Sequence, residues 1–186
     1  LWLYGTESAK ERHEPTLERF AEELALPVFC FDYSGHGEAP FSFPQITPAQ
    51  HFLEVITVYD ELCAEMGCGG GVVIGGSYGA YLTLQLLKYR RLVAGILRCP
   101  ALLRPMDFYT RWENIDETSR MQYRADGDQI TKHPLISRAA ENIAPMLIVQ
   151  HGDDEEIPAI FPQTLANHMA RAELVVAEGV PHSLRT

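Results

Sequence analysis

Residues 72–82, VVIGGSYGAYL, run from an apolar stretch through two glycines, a serine, an aromatic residue and a third glycine into a leucine-rich helical pattern. Gly75-x-Ser77-x-Gly79 is the spacing of a sharp strand-to-helix turn that aims a serine Oγ away from a sheet. Side chains two before and two after the serine would collide with the adjoining helix and strand, so glycine suits both places. The helix that follows brings its N-terminal dipole and the N–H of Tyr78, and both favour a negative oxygen. Such a pentapeptide arises by chance in about one chain of this size in twenty. Its weight comes from context, since Val72-Val73-Ile74 precede it and a helical pattern opens directly after it.

A serine hydroxyl becomes a nucleophile only beside a base, and the base needs an orienting carboxylate. Both are expected on loops after later strands, in the chain order Ser, acid, His. His182, in VPHSL after the last strand-like run, stands where the base belongs. His13, His51 and His168 fall in helical patterns, His133 in a long connection, His151 at a strand end, and His36 before the serine. The acid comes from HGDDEEIP, where Asp153, Asp154 and Glu155 compete. Pro158 as the exit from the loop favours Asp154, four residues earlier, whereas counting from Gly152 favours Glu155.

The elements that must position these residues alternate short apolar runs with amphipathic stretches, the pattern of an α/β protein with a parallel sheet. The expected strands are Trp2–Tyr4, Val28–Tyr33, Val72–Gly75, Ala94–Arg98, Met146–His151 and Glu173–Val176. Leu17, Phe20, Ala21 and Leu24 recur at helical spacing. Thr47, Pro48 and Gln50 form a capping-box start for a helix that Gly67 ends. Another helix spans about 80–89 and a last one about 162–171. Residues 101–142 break the alternation and read as a small, partly helical cap inserted over one end of the sheet. Within it Met106, Phe108, Tyr109, Trp112, Met121 and Tyr123 offer an apolar wall for a substrate; Phe108 and Trp112 are the chosen contacts. Arg104, Arg111, Arg120 and Arg124 read as a solvated, salt-bridged surface.

The chain of 186 residues fits one domain, and its net charge of -10 argues against binding a phosphate backbone. Nothing approaches the roughly 20 apolar residues of a membrane helix. Cys30, Cys63, Cys68 and Cys99 lack zinc-knuckle spacing and read as structural thiols, with the cytoplasm as the expected compartment.

Taken together, LYGT (3–6), FDYSGHGEAP (31–40), GGSYGA (75–80), QHGDDEEIP (150–158) and VPHSL (180–184) resemble the α/β-hydrolase fold superfamily, in family order and over nearly the whole chain. The resemblance implies a single α/β-hydrolase domain over 1–186, with a mainly parallel sheet of about six strands in the order 2-1-3-4-5-6 and helices on both faces. It implies a catalytic Ser77, Asp154 and His182, and it makes Asp32-x-x-Gly35-His36-Gly37 a structural loop near the site. Tyr4-Gly5-Thr6 occupies the place of the family's oxyanion loop, so the N–H groups of Thr6 and Tyr78 would hold the oxyanion. The expected activity is hydrolysis of an ester or thioester of a small acyl substrate, through an acyl-enzyme and with neither metal nor organic cofactor. The alternatives are a peptidase of the same fold and a non-catalytic ligand-binding protein on the same scaffold. The quaternary state is not readable from the sequence.

Overall fold

A computed structural model describes residues 1–183. Five strands form one parallel sheet in the order β1 (Trp2–Leu3), β2 (Val72–Gly76), β3 (Ala94–Arg98), β4 (Met146–Asp153) and β5 (Ala172–Pro181). Parallel neighbours need crossover connections. The chain supplies them with α1 (Glu14–Leu24), α2 (Pro48–Glu65), α3 (Tyr78–Leu87), α4 (Glu117–Ala125), α5 (Gly127–Thr131), α6 (Pro134–Ala140) and α7 (Ile160–His168). The capping box at the start of α2 is formed, with Thr47 Oγ1 accepting from the Gln50 N–H and the Gln50 side chain accepting from the Thr47 N–H.

The expected second strand, 28–33, is a correction. It keeps one parallel bridge, Trp2 to Cys30, together with the Trp2 N–H donated to the Phe29 carbonyl. Two physical causes act there. β1 is only two residues long and offers little ladder, and Asp32 leads the chain away to its own partners. The Asp32 carboxylate accepts from the Tyr4 hydroxyl at 2.7 Å, the Lys10 N–H at 2.8 Å, Lys10 Nζ at 3.1 Å and the Glu38 N–H at 3.3 Å. The remaining strands keep the expected order, with the bridge on the outer side of β1.

The two faces of the sheet are unequal. Val73, Leu97 and Ile148 are fully buried, against helices carrying the equally buried Leu82, Leu86 and Leu165. Their strand neighbours Ile74, Ile96 and Leu147 are only half-buried. The cause is handedness: right-handed crossovers running one way across the sheet all lie on one face. Only the connection through α1 runs the other way, and α1 buries none of its residues, although Phe20 comes within 5.9 Å of the Trp2 ring. The two-sided helical cover is therefore lopsided.

Residues 101–142 hold short 3-10 turns at Pro105–Tyr109 and Trp112–Asn114, followed by α4, α5 and α6. Two buried side chains tie this segment to the chain leaving β3. Arg124 Nε donates to the Leu102 carbonyl at 2.9 Å and His133 Nε2 donates to the Leu103 carbonyl at 3.0 Å. Burial pushes His133 down to about 4, so it makes this bond as a neutral ring while its Nδ1 accepts from the Leu135 N–H.

Asp32 yields a stability prediction. Burial pushes its carboxyl up, but the Tyr4 hydroxyl and the Lys10 N–H favour the anion and bring it below the ordinary value. A depressed value in the fold means that this stabilisation is present above the ordinary carboxylate range and is lost as pH falls through the folded-state value. Asp32→Ala strands several donors and should cost about 2 kcal/mol. A lowered urea midpoint at unchanged slope is the expected readout; an unmoved midpoint would show the Asp32 network to be idle.

Candidate active site

The turn after β2 places Ser77 at φ 50°, ψ -114°, a sparsely populated conformation that the surroundings hold in place. Its N–H donates to the Arg98 carbonyl at 2.8 Å, and its carbonyl accepts from the N–H groups of Ala80, Tyr81 and Ala101. A Cβ on residue 79 would lie 2.1 Å from the Leu3 carbonyl oxygen, so only glycine lets α3 start this close to β1. On the other side of the serine, a Cβ on Gly5 would lie 3.3 Å from the Ser77 Cβ and 3.7 Å from its Oγ. The turn after β1 thus stands directly beside the hydroxyl. Thr6 follows Gly5 in that turn. Tyr78 is the first residue of α3, where a helix leaves its N–H groups without intrahelical acceptors.

The longest pairing in the sheet brings the other two residues in. β4 and β5 run past the expected ends at His151 and Val176 and stay together to Asp153 and Pro181. The register passes from His151↔Ala177 to Asp153↔Pro181, so the β5 side carries two extra residues. Gly179 takes a left-handed φ of 70° within that bulge. The detour delivers residue 182 beside residue 154 at the C-terminal rim.

There Ser77 Oγ lies 3.0 Å from His182 Nε2, and His182 Nδ1 lies 2.8 Å from Asp154 Oδ2. The carboxylate can only accept, which puts the proton on Nδ1 and leaves Nε2 to accept from the serine. Asp154 Oδ1 is fixed by the N–H groups of Glu156 at 2.9 Å and Ile157 at 2.8 Å. Burial raises the Asp154 carboxyl, but the bonds from His182 and from the Ile157 N–H outweigh it and hold it below the ordinary value. Asp153 is exposed. Glu155 reaches only the His182 backbone N–H, at 3.4 Å, and Glu156 Oε2 stands 3.7 Å from Nε2 on the solvent side. Of the competing acids, the structure brings Asp154 to Nδ1.

Residues that sequence reasoning passed over complete the frame. His151 Nδ1 donates to the Pro181 carbonyl at 2.6 Å, and Arg98 Nη1 stands 3.3 Å from His151 Nε2. A carbonyl can only accept, so the partners fix this tautomer too. The Arg98 carbonyl holds the Ser77 N–H, and the Arg98 side chain reaches through His151 to the residue before His182. One arginine therefore links the serine turn to the histidine loop. A strand-end histidine paired with a strand-end arginine across two adjacent strands was the available signal. The buried Cys99 thiol, at φ 45°, lies with the Asp154 oxygen and His182 nitrogen in a group spanning 4.8 Å. Burial pushes this thiol up to about 12, so it stays protonated beside the carboxylate.

The two expected substrate contacts part company. The Trp112 ring stands 5.1 Å from the Tyr78 ring and 5.0 Å from Phe43, close to the serine turn. Phe108 packs instead on Phe52 of α2, whose ring meets Tyr89 beyond the far end of α3. Met106 and Tyr109 are exposed. His36 is buried among Tyr4, Tyr33, Phe43 and His51, in keeping with a structural loop.

Residues 13–133, well over half of the chain, match the alpha/beta hydrolase family. The chain belongs to that family. The matched stretch of this alpha/beta hydrolase includes Asp32–Gly37 and the serine turn and ends before Asp154 and His182, whose placement rests on the geometry above. Among solved structures, Est1E from Butyrivibrio proteoclasticus with bound ferulic acid aligns with a TM-score of 0.74 at 18% identity, covering 97% of this chain and 79% of that one. A monoacylglycerol lipase from Paleococcus ferrophilus aligns with a TM-score of 0.73 at 13% identity, covering 98% and 85%. These likenesses are of fold. A probable alcohol acetyltransferase of Cyberlindnera jadinii is 27% identical over 94 residues, 50% of this chain and 25% of that protein. The chain thus matches only a quarter of the length of that relative. Among the described residues no helix is long and apolar enough to cross a membrane.

Proposed function

We propose that this alpha/beta hydrolase is a serine hydrolase that cleaves a carboxylic ester or thioester through an acyl-enzyme. The observation that carries the reading is the continuous hydrogen-bonded line from Ser77 Oγ through His182 to Asp154. His182 Nε2 takes the serine proton as Oγ attacks the acyl carbon. Asp154 holds the ring in the required tautomer and stabilises the imidazolium that forms. The N–H groups of Tyr78 and Thr6 receive the oxyanion; one such donor is typically worth about 3 kcal/mol. His182 then protonates the leaving alcohol or thiol, and water activated by the same nitrogen releases the acid. Residues 101–142 act as the cap over this rim, with Trp112 as its wall nearest to the nucleophile.

A fluorophosphonate probe forms a stable bond to a serine activated in this way. Labelling of the wild-type chain, abolished by Ser77→Ala, is the expected result. A wild-type chain that stays unlabelled while folded would favour a binding protein on the same scaffold. A second outcome for the acyl-enzyme, transfer to an alcohol in place of water, is favoured by the stretch similar to a probable alcohol acetyltransferase. Ester formation from an added alcohol, followed beside hydrolysis, separates the two.

A further inference from the structure

The cap carries more hydrogen-bond donors than the fold can satisfy. Of its five arginines, Arg104 pairs with Asp107 at 2.7 Å, Arg111 stands 3.8 Å from Glu113, Arg120 pairs with Glu117 through Nη2, and Arg138 stands 3.4 Å from Glu141. Arg124 differs. It is 5% exposed, yet no carboxylate among the described residues lies within salt-bridge distance of it. Its Nε serves the Leu102 carbonyl and its Nη1 rests 3.9 Å from Met121 Sδ, so Glu117, Glu156 and Asp154 act on the charge only from beyond salt-bridge distance. Burial and the like charge of Arg120 pull it down to about 10, against the opposing pull of Glu117, Glu156 and Asp154, so it remains a cation at neutral pH. A buried guanidinium without a counter-ion in contact is costly, and part of that cost is recovered when an anion binds it directly.

Among the described residues, two further donors nearby are buried without a hydrogen-bond partner, namely Arg120 Nε and Trp112 Nε1. The Arg120 guanidinium carbon lies 5.9 Å from the Trp112 ring, and Arg124 follows Arg120 by one turn of α4. The trio is joined to the serine turn by two contacts. Trp112 packs against Tyr78, and Arg124 holds the carbonyl of Leu102, next to Ala101, whose N–H bonds the Ser77 carbonyl. Every unmatched group in this trio is a donor, so the missing partner is an acceptor.

We propose that Arg124, Arg120 and Trp112 form an anion subsite beside Ser77, and that the substrate is an ester or thioester bearing a carboxylate close to the scissile bond. The assignment rests on the serine hydrolase reading above and narrows its substrate class. The carboxylate takes the Arg124 cation as its counter-ion and accepts from the Trp112 indole and from Arg120.

The test compares matched esters. One pair is p-nitrophenyl hemiglutarate against p-nitrophenyl valerate, with the charge on the acyl part. The other is 4-acetoxybenzoate against p-tolyl acetate, with the charge on the leaving part. In at least one pair the wild-type chain should favour the anionic ester by about tenfold or more in kcat/KM, the scale of a charge-assisted hydrogen bond. Arg124→Met should reduce that ratio at least tenfold, and Trp112→Phe, which removes the N–H and keeps a ring, should reduce it less. A variant that merely folds poorly lowers both members of a pair and leaves their ratio unchanged. A wild-type ratio near one in both pairs, or a ratio that neither variant alters, overturns the subsite while leaving the hydrolase standing. Absence of turnover on all four esters, together with absence of fluorophosphonate labelling, overturns the hydrolase reading itself.

Discussion

Ser77→Ala and His182→Ala should each lower kcat on a p-nitrophenyl ester by about a millionfold, and the double variant by little more than either alone. The reason is the 3.0 Å contact between Ser77 Oγ and His182 Nε2. An imidazole without the hydroxyl has no proton to accept, and a hydroxyl without the imidazole remains a weak nucleophile. Either deletion therefore removes the same function. The turnover expected to remain in all three variants is that of the proposed Tyr78 and Thr6 donors and of binding, which such sites retain at about 10³–10⁴-fold over water. Losses that multiply in the double variant would mean that the two side chains act separately, and the shared proton transfer would have to be given up.

Ser77 was legible in the sequence because the turn that presents it is local. Strand, glycines, serine and helix lie within eleven consecutive residues, and Gly75 and Gly79 answer close contacts inside that stretch and with the adjacent β1. The alternation of apolar runs with helical patterns pointed to a parallel sheet, whereas the strand order came from the resemblance to the α/β-hydrolase superfamily. What failed to read through depends on pairing partners that the sequence does not display. Residues 28–33 have a strand-like composition, yet they lie at an edge beside a two-residue β1, and Asp32 finds better partners in Tyr4 and Lys10. Phe108 carries the apolar character of a substrate wall, yet its ring lies against Phe52 of α2. Arg124 resembles its neighbours in the sequence, because nothing local distinguishes a solvated arginine from one buried within its own segment.

The acid was the hardest residue to choose, because Asp153, Asp154 and Glu155 are adjacent and their assignment turns on a bulge. β5 gains two residues on β4 between Ala177 and Pro181, and this detour sets which acid faces residue 182. A frame counted from Pro158 reaches Asp154, and a frame counted from Gly152 reaches Glu155. Neither count contains the detour. The three-dimensional criterion is which carboxylate has one oxygen on Nδ1 and the other held by backbone donors. Asp154 meets it, through Oδ2 to the ring and Oδ1 to the N–H groups of Glu156 and Ile157.

Asp154→Asn should then lower kcat by about 10⁴-fold while leaving the melting temperature within a few degrees of wild type. The two N–H groups at the Oδ1 position select the amide oxygen for that place. The amide NH₂ is thereby turned toward His182 Nδ1. Two donors cannot face one another, so the ring adopts the other neutral tautomer, with Nδ1 accepting and the proton on Nε2. That nitrogen now offers Ser77 a donor where an acceptor is needed, and general-base catalysis stops although no atom has moved far. Asp153→Asn and Glu155→Gln do not touch the ring and should stay within about threefold of wild type, as exposed surface changes commonly do. An NMR signal for the ring proton, bonded to Nδ1 in the wild type and to Nε2 in Asp154→Asn, checks the cause separately from the rate. Full activity in Asp154→Asn with a collapse in Glu155→Gln would transfer the role to Glu155 and require the histidine loop to settle one residue differently.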